Sequence, residues 1–300
     1  MNNNRLKGIT YLLITAIIWG GSFISQLFGG AAIGSFSFNS YRCILGCITI
    51  GIMIFYDSKV RVSKLVFFRE DEDIVKTIKN SSWCGVTLFF AMIIQQLGVQ
   101  RTDTAKAGLI TSLEVICVPI LMLILYKRKI KLITWLFILT TMFGIMLLSI
   151  NSLSGVNKGD ILVAISSVLY SITIIQVTKY VHGIDPLKFS FFRFVVVGIM
   201  GFIGAVLMRE QFLDINKIKA ALPSILYSGI LGSGVAYTFS IIGQHYCEPI
   251  IATLIMSLEG IFAAIFGWII LGQSLNVIQI LGILLAFISI TMVQITDNTY

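Results

Sequence analysis

Ile110-Thr111-Ser112-Leu113-Glu114-Val115-Ile116-Cys117-Val118-Pro119 sets a carboxylate inside an apolar run, and Ile255-Met256-Ser257-Leu258-Glu259-Gly260-Ile261-Phe262-Ala263-Ala264 repeats the arrangement 145 residues later. Each run belongs to a stretch long enough to cross a bilayer, for which about 20 apolar residues suffice. A charge near the centre of such a span is costly, about 2.5–3.5 kcal/mol on insertion scales. Two of them in the same Ser-Leu-Glu setting point to a duplicated membrane unit enclosing a polar site.

The composition agrees. The 300 residues are 57% hydrophobic and 12% charged, about half the charged share of a soluble domain. So large an apolar excess is not an aqueous core. The apolar runs are also too long and unbroken for barrel strands, which alternate over about ten residues. The ruler of about 20 residues marks ten segments, near 8–28, 36–56, 83–100, 104–126, 130–150, 160–180, 187–208, 222–243, 249–271 and 275–295. The expected fold is an all-α polytopic membrane protein with ten transmembrane helices, because lipid offers open backbone groups no partner. The first segment lacks a small-residue cleavage site and reads as a retained span.

The net charge of +8 is no sign of nucleic-acid binding here, since the basic residues gather in loops. With the N-terminus placed in the cytosol, the inner segments hold Arg5, Lys7, Lys59, Arg61, Lys64, Arg69, Lys76, Lys79, Lys127, Arg128, Lys129, Lys131, Lys179 and Lys188. The outer ones hold Arg101, Lys106, Lys158, Arg209, Lys217 and Lys219. That excess places both termini inside and the chain in the cell membrane. The first half carries nearly all of the bias. The long loop after the second segment, with Phe67-Phe68-Arg69 and Glu70-Asp71-Glu72-Asp73, reads as a solvated loop with one short interfacial helix. An anionic-lipid or partner contact is the alternative. Cys43, Cys47, Cys84, Cys117 and Cys247 form no ligand pattern and read as small buried hydrophobes.

Correspondences run through both halves. At an offset of 151, Lys7-Gly8 meets Lys158-Gly159, Trp19 meets Tyr170, Ser22 meets Thr173 and Arg42 meets Arg193. At an offset of 145, Gly98 meets Gly243, Ala107 meets Ala252 and Ser112-Leu113-Glu114 meets Ser257-Leu258-Glu259. Residues 1–150 and 151–300 are therefore expected to be two five-helix units. Five is odd, so the second enters the membrane from the other side. Such inverted repeats are an architecture of secondary transporters, with the substrate site near the midplane between them.

Trp19-Gly20-Gly21-Ser22-Phe23, Gln96-Leu97-Gly98-Val99, Thr104-Ala105-Lys106-Ala107-Gly108-Leu109-Ile110, the Glu114 stretch with Pro119, and Lys158-Gly159-Asp160 together resemble the EamA family of the drug/metabolite transporter superfamily. The resemblance runs from about Lys7 to Gln294. It implies a ten-helix bundle whose central cavity is lined mainly by spans one, three, four, six, eight and nine, and export or exchange of small metabolites such as amino acids. Where the fourth and ninth spans of that family often end in Leu-Gly-Glu, this chain has Tyr126-Lys127-Arg128 and Leu271-Gly272-Gln273.

Glu114 and Glu259 lie about ten residues into their spans, half the hydrocarbon core at 1.5 Å per residue. Withdrawal from water favours a neutral carboxyl in general. Either glutamate could thus exchange protons and couple transport to a proton gradient, or stay protonated and hydrogen-bond a serine or the Val115 carbonyl that Pro119 frees. Arg42 and Arg193, read as approaching opposite membrane faces, are gate charges or partners of a substrate carboxylate. The alternative is that they snorkel to the interface. Trp19, Ser22 and Gln26, Gln95 and Gln96, Tyr170, Thr173 and Gln176, and Tyr237 and Gln244 are candidates for the cavity wall, because amides and hydroxyls are costly against lipid. Gln95 and Gln96, about 100° apart on a helix, do not point the same way. Aromatic packing is the plainer account of Trp19 and Tyr170.

His182 and His245 fall at loops in different halves, and no nucleophile motif, phosphate loop or metal spacing occurs. No enzyme activity and no cofactor are expected. The expected function is alternating-access export or exchange of a small, amino-acid-like metabolite, with protons as coupling ion. Lipid is the surrounding partner, no nucleic acid is involved, and a homodimer stays open. A multidrug exporter of cationic compounds and a non-transporting scaffold or sensor are the rivals.

Overall fold

A computed structural model describes residues 3–62, 73–102, 104–127, 129–148, 156–271 and 276–296. All regular structure among these is helical. In chain order the spans are α1 (Asn3–Ile33), α2 (Ser35–Val62), α3 (Ile74–Val99), α4, α5 (Leu132–Leu148), α6 (Lys158–Tyr180), α7 (Pro186–Leu207), α8, α9 and α10 (Val277–Thr296). Three of them are compound. The α4 span is broken into α4a (Thr104–Thr111) and α4b (Glu114–Tyr126), and α9 into α9a (Pro249–Met256) and α9b (Glu259–Leu271). The α8 span joins Ile215–Leu226 to Tyr237–Tyr246 through a wider π-helical stretch, Tyr227–Ala236. Among the described residues, eight spans are apolar and long enough to cross a membrane, and the stretches Leu132–Leu147 and Val277–Val293 are shorter apolar helices. The molecule is a multi-pass integral membrane protein.

Helix starts are set by local chemistry. Asp73 caps α3, its side chain accepting from the Lys76 amide at 2.8 Å. This begins α3 nine residues before the expected start at Trp83. Asn157 and Asp160 form a reciprocal capping box on α6, with bonds of 3.0 and 2.8 Å; such pairs satisfy two of the amides a helix start leaves open. Asp185 caps α7 ahead of Pro186, and Asp214 caps α8 seven residues before the expected start at Leu222. The α2 start has a remote cap. The Glu210 carboxylate, just beyond α7, accepts from the Phe36 and Ser37 amides at 3.2 and 2.7 Å and from Ser37 Oγ at 2.6 Å. Gly34 turns the chain there with φ +93°, where a side chain would meet that carboxylate. The proposed interfacial helix around Phe67–Arg69 lies outside the described residues.

The spans pack as α2 on α7, α3 on α6 and α5 on α10, while α1 crosses α8 and α9b. Glycines permit the closest approaches, as membrane helices without a hydrophobic drive to associate require. Gly8 of α1 lies against Gly243 and Tyr246 of α8, and Gly98 of α3 against Gly159 and Val163 of α6. The largest apolar core cluster gathers residues such as Leu12, Val118, Ile138, Leu254 and Ile290 from α1, α4b, α5, α9a and α10. Cys43, Cys84 and Cys247 are buried.

Candidate functional site

Both Ser-Leu-Glu triplets are helix breaks. In the first, Leu113, Val115 and Ile116 donate to the carbonyls three residues back, at 3.1, 3.0 and 2.9 Å. In the second, Leu258 and Gly260 do the same at 3.2 and 3.3 Å. These tight turns interrupt the α ladder, a feature that often marks a hinge in mid-helix. They put Glu114 and Glu259 in the first turns of α4b and α9b. The sequence reading had a single continuous helix at both places.

The two breaks face one cavity inside the bundle. Trp19, Ser22, Phe23 and Gln26 of α1 line it, with Arg42 of α2, Gln95 of α3 and Thr111 and Glu114 of α4. Tyr170, Thr173, Ile174 and Val177 of α6 complete it with Arg193 of α7, Met256 and Glu259 of α9, and Ser228, Gly232, Ser233, Tyr237, Ser240 and Gln244 of α8. About 50 Å³ of space remains, room for a few water molecules at about 10–15 Å³ each. A metabolite of amino-acid size enters only if the walls separate.

Of the residues singled out from sequence, Trp19, Ser22, Gln95, Glu114, Tyr170, Thr173, Tyr237 and Glu259 are thus brought together. Gln96 and Gln176 are not. Gln96 Nε2 donates to the Gln26 carbonyl at 2.8 Å, tying α3 to α1, and Gln176 Nε2 donates to Thr87 Oγ1 at 3.1 Å. Arg42 and Arg193 need a correction. They do not reach toward opposite faces of the membrane but line the same cavity, with 5% and 2% of their surface exposed. Pro119 lies inside α4b, past the break that precedes Glu114. Thr111, Ser228, Ser233 and Ser240 were missed. Ser240 was accessible by the offset of 145 from Gln95.

A polar chain crosses the cavity. Gln95 Nε2 donates to Thr111 Oγ1 at 3.2 Å, Tyr170 Oη donates to Gln95 Oε1 at 3.1 Å, and the Tyr237 and Tyr170 hydroxyls meet at 3.5 Å. Trp19 packs edge-on against Tyr237, ring centres 4.6 Å apart. Against these satisfied groups stand several buried ones with no hydrogen-bond partner: Trp19 Nε1, Gln26 Oε1, Gln244 Oε1, Arg42 Nε and Nη2, and Arg193 Nε. Buried polar atoms are nearly always paired, so such a concentration around one cavity marks a place built to receive polar atoms from elsewhere. No cluster of His, Cys, Asp or Glu suited to a metal occurs among the described residues.

The lining is also paired along the chain. Trp19 and Tyr170, Ser22 and Thr173, Phe23 and Ile174, Gln26 and Val177, and Arg42 and Arg193 stand 151 apart, and Gln95 and Ser240, Thr111 and Met256, and Glu114 and Glu259 stand 145 apart.

A polytopic helical bundle with a polar cavity between helices broken at mid-span is the build of a membrane transporter. The chain belongs to the EamA-like transporter family, whose model matches residues 6–150 and again 157–295, a family within the drug/metabolite transporter superfamily. A protein of Archaeoglobus fulgidus described as an uncharacterized transporter is 25% identical over 291 residues, 97% of this chain and 87% of its own length. A second, described in the same words and from the same organism, is 22% identical over 138 residues, 46% of this chain and 48% of its own. A protein of known crystal structure superposes with a TM-score of 0.76 over 98% of this chain and 96% of its own, at 14% identity; that likeness bears on the fold.

Proposed function

We propose that the chain is a secondary active transporter that exports or exchanges a small amino-acid-like metabolite by alternating access, in the cell membrane with both termini cytosolic. Residues 1–150 and 151–300 act as two inverted five-helix units. The observation that carries the reading is the paired lining of the cavity. Eight pairs of residues at the two repeat offsets surround one space, which supports a pseudo-two-fold axis passing through it. Related halves can exchange their packings, and that exchange turns an opening on one side into an opening on the other.

The chemistry of the wall supports a dipolar solute. Two guanidiniums and two carboxyl groups share the cavity, and no ion pair among the described residues joins them. A loose apolar cavity for cationic drugs would have no use for buried arginines. Protons are the proposed coupling ion, bound at Glu114, Glu259 or both.

The test is counterflow. Proteoliposomes preloaded with an unlabelled amino-acid mixture are expected to accumulate labelled amino acid from outside. Glu114→Gln and Glu259→Gln are expected to flatten its pH dependence. Absence of flux for every amino acid from folded protein, or accumulation of cationic dyes in its place, overturns the reading. Unchanged pH dependence in both variants removes the proton from it.

A further inference from the structure

Arg42 and Arg193 are the least explained groups in the protein. Each is almost wholly buried, in a span where an unpaired charge is costly. Neither donates a hydrogen bond nor forms an ion pair among the described residues. Each lies near an aromatic ring, Arg42 5.5 Å from the centre of Phe38 and Arg193 5.9 Å from that of Tyr237. A ring engages the flat side of a guanidinium and leaves its in-plane N–H groups without acceptors. Leaving such groups unmet is more expensive than replacing them, so they call for an acceptor absent from the chain itself.

The surroundings narrow the acceptor. Around the cavity, Ser22, Thr111, Thr173 and Ser240 hydroxyls donate to carbonyls of their own helices, and Ser228 donates to Ser25. A phosphate, with three oxygens to satisfy, finds these donors occupied. The guanidiniums, the Trp19 indole N–H and the side-chain amides of Gln26 and Gln244 remain. A guanidinium presents parallel N–H bonds that match the two oxygens of a planar carboxylate.

We propose that Arg42 and Arg193, one from each half of the chain, form the carboxylate subsite of the transported molecule, with Trp19 Nε1 as a further donor. This rests on the transporter reading and deepens it, because it assigns a required functional group to the substrate and two residues to its recognition. A subsite built from both halves is reshaped as they move, so the grip on the carboxylate changes as one side or the other opens.

The experiment uses the full-length protein in detergent micelles at constant ionic strength. Acetate and acetamide, equal in shape and different in charge, are titrated with tryptophan fluorescence and thermal unfolding as readouts. Acetate is expected to bind at least about tenfold more tightly than acetamide, the weight of a charge-assisted hydrogen bond. Arg42→Gln and Arg193→Gln are each expected to erase most of that preference, and Arg→Lys at either position to keep part of it. Should the glutamine variants fail to fold, the lysine variants and the wild-type contrast decide. Acetamide binding as well as acetate, inorganic phosphate binding more tightly than acetate, no acetate binding at all, or an intact preference in both glutamine variants overturns the proposal. Counterflow separates the two readings. Flux of substrates that lack a carboxylate removes the subsite and keeps the transporter, whereas acetate binding without any flux does the reverse.

Discussion

Trp19 shows how one side chain divides between packing and binding. Its ring rests edge-on against Tyr237, while its indole N–H is buried in the cavity wall with no acceptor. Phenylalanine keeps the first role and deletes the second. Trp19→Phe is therefore expected to shift thermal stability by less than about 1 kcal/mol and to weaken acetate binding about threefold or more. An unchanged titration confines Trp19 to packing. The glutamates carry the corresponding pH prediction. A carboxylate held at Arg42 and Arg193 favours protonation of Glu114 and Glu259 in the same cavity, and by reciprocity their protonation favours the carboxylate. Acetate affinity is expected to rise as pH falls, with Tyr170 and Tyr237 as the other titratable groups on the wall. Glu114→Gln with Glu259→Gln is expected to make it high and flat. Affinity that falls with falling pH contradicts the linkage.

Among the elements, the start of α6 is held by a polar knot. Asp160 accepts from the Asn157 amide and from Thr102 Oγ1 and pairs with Lys106 Nζ, so α3, α4a and α6 are joined at one end of the bundle. Asp160→Asn removes the charge that Lys106 faces and is expected to destabilise by about 1–3 kcal/mol. Adding Lys106→Met to that variant is expected to restore part of the loss, because a buried pair is worse half-removed than absent. Thermal unfolding of the two single variants and the double one checks this, and additive losses refute the pairing. This knot was legible in part: Asp160 opening an apolar run after Asn157 is a start signal, though its reach to Lys106 is not a local property. The breaks in α4 and α9 were not legible. Residues 104–126 are apolar enough around Glu114 to read as one span, and the proline that would mark an interruption, Pro119, sits inside α4b, past the break. Hydropathy measures preference for lipid, which a tight turn between two apolar half-helices does not alter. The π-helical stretch carries Gly229 and Gly234, which pack closely against Leu45 and Thr49 of α2. Arg42 and Arg193 were misplaced because hydropathy registers depth along a helix and is blind to which face meets the cavity.

At the scale of the molecule, two close glycine contacts occupy corresponding positions in the two halves. Gly8 of α1 against Gly243 of α8, and Gly159 of α6 against Gly98 of α3, are the same pair of positions carried through the offsets of 151 and 145. Both are tightly packed here, and about 50 Å³ of space remains in the cavity. Alternating access by exchangeable halves requires one to open while the other stays shut, so loosening one end should tighten the other. Cys247 offers a native reporter. It is buried beside Gly8, and burial pushes its thiol up to about 11, so its alkylation is slow while the α1–α8 contact holds. In a variant keeping Cys247 as its sole cysteine, Gly98→Ala and Gly159→Ala wedge methyl groups into the distant α3–α6 contact, where backbone atoms stand within 3 Å of the added carbon. They are expected to bias the population toward opening at that end and to slow maleimide labelling of Cys247 severalfold, without touching its surroundings. Local loosening predicts no effect at this distance, and general destabilisation predicts faster labelling. Only an exchange of packings between the two halves predicts protection.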